Sequence, residues 1–325
     1  MSAPHQRVLR RLPSTLVNQI AAGEVVERPA SAVKELVENA IDAGAKRISV
    51  TLKGGGRSFI SVVDDGSGMS AGELKLAVER HCTSKLPGDD LTHISTLGFR
   101  GEALPSIASV SRFAITSRPH SGKVAGADSA FSLAIDGGHK GEPRPAAHPP
   151  GTRVEVRDLF FATPARLKFL KEPRTESAHV ADTIRRLAMA HPDRSFRLES
   201  EERTLLDLPM AVSQLERLAA IMGREFAENA LPIDANREGF RLTGYAGLPT
   251  LNRPTGQHQY LFVNGRPVRD KLLAGAVRAP TRISWRAIAI PWSRCSSRRR
   301  PIWSTSTCIP PRPRCAFATP ASCAA

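Results

Sequence analysis

The chain has 325 residues, 41% of them hydrophobic, and a formal net charge of +15, which is room for two domains that each bury a core. No apolar run reaches the ~18 residues a membrane span needs, and Met1–Arg7 lacks a signal peptide's hydrophobic stretch, so the expectation is a cytoplasmic protein without a membrane segment. The basic excess favours a polyanionic partner such as DNA, because Lys and Arg gain affinity by releasing counterions.

In chain order, the first clear element is Lys34–Ala45, where Leu36, Val37, Ala40 and Ile41 recur at helical spacing and Gly44 ends the run. Glu35, Asn39 and Asp42 then fall one turn apart on the opposite face. One column thus carries a carboxylate base, a neutral oxygen ligand and a second carboxylate. Magnesium on a triphosphate takes few protein oxygens, so a single Asn amide suits it, and a carboxylate one turn away can orient a water. By spacing alone, a solvated acidic face fits equally well.

A β-branched strand (Ile60, Val62, Val63) runs into Asp64-Asp65-Gly66-Ser67-Gly68. A carboxylate at a strand end can accept from an adenine amino group while the glycines admit close backbone approach, although Asp-Gly-x-Gly by itself is mostly an ordinary turn. Thr83-Ser84-Lys85 follows, then Leu97-Gly98-Phe99-Arg100-Gly101-Glu102-Ala103-Leu104, read as a mobile loop whose amides and following helix start can face phosphates. The Pro/Gly-rich stretch 137–151 reads as a surface loop, and Gly151-Thr152 opens a strand over 153–156. A helix is expected over 177–190 with Ser177 as N-cap. A second unit starts near Glu216, with a helix at 221–228, a strand at 240–249, a strand into a turn at 259–266 and a helix over 270–278. There is no Gly-x-x-x-x-Gly-Lys-Ser/Thr, which excludes a P-loop.

Taken together, these residues closely resemble the N-terminal region of the MutL family of DNA mismatch repair proteins. The runs that carry the resemblance are 18–30, 83–85, Leu97–Leu104, 158–166 and 262–267, and it spans roughly residues 8 to 278. Gyrase B, heat-shock chaperones and histidine kinases share the Glu-x-x-x-Asn and Asp-x-Gly-x-Gly elements but lack the Gly-Phe-Arg-Gly-Glu-Ala wording. The resemblance implies an α/β (α+β) chain: a GHKL-type ATP-binding sandwich over 1–215, then a smaller ribosomal-protein-S5-domain-2-like unit over 216–278. It implies ATP and Mg2+ as cofactors, Glu35 as general base and Asn39 as the metal ligand. Asp64 would bind adenine with Thr152 beside it, and Gly66 and Gly68 would shape that pocket. Thr83, Ser84, Lys85 and Gly98, Phe99, Arg100, Gly101, Glu102, Ala103, Leu104 would form the lid over the phosphates. Asp42 is given a supporting role, and Asp65 stands where many relatives have Asn. The implied partners are DNA, the mismatch-recognition protein MutS, downstream repair enzymes and a second copy on ATP binding. Arg266, Arg269 and Lys271 are the basic residues singled out for DNA, beside clusters at 166–171 and 185–186.

From residue 279 the composition changes. The stretch to 325 has no Asp or Glu, all three tryptophans and four of the five cysteines. The bland reading is a disordered basic tail, and the Cys spacing has no close pair for zinc. Read one base out of frame with suitable synonymous codons, however, residues 280–286 can encode Tyr-Ala-Asp-Phe-Leu-Ala. In the same way 303–317 can encode Leu-Val-Asp-Val-Asn-Val-His-Pro-Ala-Lys-Ala-Glu-Val-Arg-Phe, which resembles the family's next strand and its γ-phosphate lysine. The reading is therefore a frame change at or just before Pro280. That would remove the lysine, weaken hydrolysis and strip the second unit of its remaining strands. The alternative function is a catalytically impaired DNA-binding or scaffold fragment. Removing the tail's eight Arg leaves +7 of the +15.

Overall fold

Two α-helices and a hairpin open the fold: α1 (Ser14–Val25), α2 (Pro29–Asp42), β1 (Arg47–Lys53) and β2 (Phe59–Asp64). Next come α3 (Ala71–Ala77), α4 (Ala103–Ser109), β3 (Arg112–Arg118), β4 (Ala130–Asp136), β5 (His139–Lys140), β6 (Arg144–Ala146) and β7 (Gly151–Arg157). The unit closes with α5 (Pro173–Ala190), β8 (Ser195–Ser200) and β9 (Arg203–Leu208). This computed structural model describes residues 12–85, 96–98, 101–120, 129–248, 258–278 and 288–294.

The strands form one sheet in the order β5-β4-β3-β7-β2-β1-β8-β9, with β6 also on β4. All its pairs are antiparallel except β1 with β8. Helices α2 and α5 pack on each other and on the sheet, and their apolar stripes join the strand interiors in a single core. Helix α2 begins as its sequence dictates: Arg28 is extended and Pro29 takes the first turn, where its missing N–H costs nothing. Val33, Leu36, Val37 and Ile41 on its inner face are buried, each worth about 1.5–3 kcal/mol. That burial fixes the helix's rotation, so Glu35 and Asn39 must face outward from the sheet.

The second unit comprises α6 (Gln214–Met222), α7 (Arg224–Glu228), β10 (Ala230–Arg237), β11 (Phe240–Gly247), β12 (Gln259–Val263), β13 (Arg266–Val268), α8 (Lys271–Arg278) and β14 (Ile288–Arg294). Its sheet order is β10-β11-β14-β12-β13. The β12–β13 hairpin turns at Asn264-Gly265, both with positive φ, as that dipeptide favours. Met189 from α5 enters this unit's core with Leu218, Phe226, Tyr260 and Phe262, so the two units share packing.

Four expectations change. The stretch 137–151 is not all loop, because β5 and β6 pair with β4 inside it. Helix α5 starts at Pro173 rather than Ser177; Ser177 is buried within it and bonds Ser200 Oγ at 3.1 Å. The helix expected at 221–228 is two, broken at Gly223 with φ +100. Most consequentially, the region expected to hold no regular structure supplies β14, which pairs with β11 on one side and β12 on the other. Without it those two strands would each present unpaired backbone groups, so even a poorly patterned segment gains by filling the slot. Pro291, opposite Phe262, brings no N–H to this central position, where proline is ordinarily excluded.

Candidate nucleotide site

Helix α2 presents Glu35 and Asn39 to a cleft of about 860 Å³. Thr83, Ser84, Lys85, Gly98, Gly101, Glu102, Ala103 and Leu104 line the same cleft, so the described lid residues share one cavity with the helix. Phe99 and Arg100 lie outside the described residues.

Lys34 Nζ bridges Glu35 Oε1 at 3.1 Å and Glu38 Oε2 at 2.9 Å. Burial works against the Lys34 ammonium, but the two carboxylates together hold its pKa above the usual lysine value. Burial pushes the Glu38 carboxyl up, against the pull of Lys34. One Glu35 oxygen is thereby anchored and the side chain stays partly exposed to the cleft.

Asn39 Oδ1 accepts from Lys85 Nζ at 2.8 Å, and the same ammonium lies 2.6 Å from Asp42 Oδ2. Asp42 also accepts the backbone N–H groups of Leu97 (2.9 Å) and Gly98 (3.0 Å). Its side chain is only 6% exposed. Asp42 therefore clasps the lid segment, a larger part than the supporting role expected. A cation already sits on the Asn39 amide oxygen, which marks the position as one that favours positive charge. Among the described residues no group of three His, Cys, Asp or Glu forms a metal cage. The donor set thus fits a Mg2+ that arrives with its own phosphate and water ligands.

A second cluster lies at the end of β2. Asp64 pairs in register with Thr152 on β7, and Asp64 Oδ1 accepts the Gly66 N–H at 2.8 Å. Burial pushes the Asp64 carboxyl up to about 6, against that N–H bond, with Asp65 adding repulsion. Thr152 Oγ1 lies 2.8 Å from Ser117 Oγ, which in turn accepts the Met69 N–H at 2.9 Å. A Cβ on Gly66 would meet Asp64 Oδ1 at 2.8 Å, and one on Gly68 (φ +66) would lie 1.9 Å from the Arg118 carbonyl oxygen. Both glycines are therefore required by close approach, not merely by turn preference. Asp64, Gly66, Gly68 and Thr152 do not line the large cleft; Met69 does, and joins the two clusters. Ser117 was missed by the sequence reading, since a lone Ser in a strand carries no signal.

The three basic residues singled out for DNA separate. Arg266 donates to the Thr96 carbonyl at 2.6 Å. Arg269 is paired with Asp182. Lys271 is exposed at the start of α8.

Residues 27–136 match the histidine kinase-, DNA gyrase B- and HSP90-like ATPase family, and residues 218–289 match the DNA mismatch repair protein C-terminal domain family. The chain is 66% identical over 275 residues to the DNA mismatch repair protein MutL of Paramagnetospirillum magneticum, covering 83% of this chain and 44% of that protein. MutL of Rhodospirillum rubrum is also 66% identical, with 43% of it covered. The chain thus spans less than half the length of these relatives. Among solved structures, the Aquifex aeolicus MutL ATPase domain complexed with ADP aligns at TM-score 0.65 and 30% identity, covering 83% of this chain and 93% of that one. A further structure of that ATPase domain aligns at TM-score 0.62 and 27% identity, covering 88% and 94%. Sharing the sheet, the helix carrying Glu35 and Asn39, and an alignment over nearly all of that domain, the chain belongs to the MutL family of DNA mismatch repair proteins, in its N-terminal ATPase region.

Proposed function

We propose that the chain binds Mg2+–ATP in the cleft along α2, hydrolyses it slowly, and uses the cycle to switch an N-terminal dimer on DNA during mismatch repair. The observation that carries this reading is the cleft shared by Glu35, Asn39, Thr83–Lys85, Gly98 and Gly101–Leu104. Asp64, held by Gly66 and flanked by Thr152, takes the adenine amino group. Asn39 would hold the Mg2+, which would supply charge neutralisation at the phosphates. Lys85 Nζ, now on Asn39 Oδ1 and Asp42 Oδ2, is the protein cation that would share this position with the metal. Glu35, with one oxygen fixed by Lys34, takes the proton from the attacking water through the other.

MutS and downstream repair enzymes as partners belong to the same proposal, supported by the chain's family. In this reading the chain past residue 279 derives from a frame change. The γ-phosphate lysine is then absent, which lowers the rate by about 10²–10³. The division into an ATPase unit over 1–215 and a second unit from 216 belongs to the same proposal, with β14 carrying the second unit's sheet past 278. Glu35→Ala tests the mechanism: hydrolysis is lost while Mg2+–ATP binding by equilibrium dialysis is retained. A parent chain that binds no Mg2+–ATP would refute it in favour of an impaired fragment. Resequencing codons 270–290 on both strands tests the frame change.

A further inference from the structure

We propose that Arg266, supplied by the second unit, is a positioning residue for the nucleotide lid and not a DNA contact. The inference rests on the ATP-binding function proposed above. Arg266 opens β13, directly after the tight Asn264-Gly265 turn, so its backbone is fixed by the hairpin. Its guanidinium reaches back to the ATPase unit and donates to the Thr96 carbonyl at 2.6 Å, in a partly buried setting.

Thr96 directly precedes Leu97 and Gly98, whose N–H groups Asp42 accepts. The Thr96 hydroxyl also donates to the Gly98 carbonyl at 2.8 Å, which stiffens the segment. Residues 96–98, which run into the lid at Gly98, are thus held from both sides, by a carboxylate on α2 and by an arginine from the other unit. A charge-assisted bond to a carbonyl is about twice as strong as a neutral one, so the tie is strong enough to set the lid's position. The guanidinium therefore stands against the backbone that leads into the lid.

A DNA-phosphate role would need this guanidinium free, and it is committed. Neighbouring Arg269 is also committed, to Asp182 on α5, so the β13 segment is fastened to the ATPase unit at two points. Motion of the lid on nucleotide binding must then move β13 or break the Arg266 bond. Either way the second unit registers the state of the site.

The full chain is compared with Arg266→Gln and Arg266→Lys, by two readouts. In hydrogen exchange without nucleotide, peptides spanning 96–98 exchange about tenfold faster in Arg266→Gln, and Arg266→Lys restores part of the protection. Unchanged exchange in Arg266→Gln overturns the tie. In steady-state hydrolysis without DNA, kcat falls by about 10- to 100-fold in Arg266→Gln while KM shifts less than about threefold. Affinity for a duplex oligonucleotide stays at the parent's value. Parental kcat with weakened DNA binding overturns the proposal and returns Arg266 to the DNA surface. A globally unfolded Arg266→Gln leaves the comparison to Arg266→Lys, where partial loss of protection at 96–98 with a matching partial loss of kcat supports positioning, and parental exchange with reduced kcat overturns it. If the parent chain hydrolyses no ATP, the function proposed above fails, while the exchange comparison still decides whether Arg266 holds the lid.

Discussion

Asp64→Asn should stabilise the nucleotide-free protein while destroying its adenine recognition. The carboxyl is pushed from 3.8 to about 6, first by burial, so the fold prefers it protonated. Its contribution to stability is fully present below pH 3.8 and is lost as pH rises through about 6. Each pKa unit is about 1.4 kcal/mol, so the ionised carboxylate costs the fold about 3 kcal/mol near neutrality. Asn has nearly the same shape, its amide oxygen can still accept the Gly66 N–H, and it carries no charge. Urea unfolding at about pH 7.5 should therefore find the variant more stable by up to about 3 kcal/mol, shrinking to about 1 kcal/mol near pH 4.5. ATP affinity should fall at every pH, because the amide NH2 now faces the adenine NH2 if its oxygen remains on Gly66. A stability gain that is absent, or that does not change between the two pH values, would show that Asp64 is not a strained buried carboxylate.

The same carboxyl predicts that parental ATP affinity weakens as pH drops below about 6, where protonation turns an acceptor into a donor; isothermal titration across that range checks it. Asp42→Ala leaves the Leu97 and Gly98 N–H groups without their acceptor and Lys85 with only the neutral Asn39 oxygen. It should cost about 3 kcal/mol and open 96–98 to protease, and unchanged urea midpoints would contradict the clasp. Arg217 is fully buried and donates from Nη2 to the carbonyls of Pro192, Arg194 and Pro209. Arg217→Ala should lose about 3 kcal/mol or more by orphaning those acceptors, as measured by denaturation. Truncation after residue 278 removes β14 from between β11 and β12. The truncated chain should aggregate in light scattering where the full chain does not; equal solubility would mean that the slot needs no strand.

Much of the site could be read from sequence because it rests on local periodicity. The apolar stripe of α2 fixes which face is buried, so Glu35 and Asn39 had to emerge together, and the β-branched run before Asp64 had to end at a Gly turn. The same logic located β11, β12 and α8, whose patterns lie within a few residues of one another. It failed where partners are remote. Ser177 is a good N-cap by type, but Pro173 starts the helix four residues earlier and Ser200 claims the Ser177 hydroxyl. Ser117 joined the cluster around Asp64 and Thr152 only because β3 pairs with β7.

By itself, then, the sequence carried the resemblance to the family in its motif wording and fixed the buried face of α2, since periodicity and side-chain type act within a few turns of chain. Tertiary structure alone decided three things. It put Lys85 on Asn39, made Asp42 a clasp for 97–98, and turned Arg266 from a surface cation into a tie on Thr96. Tertiary structure also gave β14 a place, because a strand slot between two partners is defined by unpaired backbone groups, which no side-chain pattern encodes.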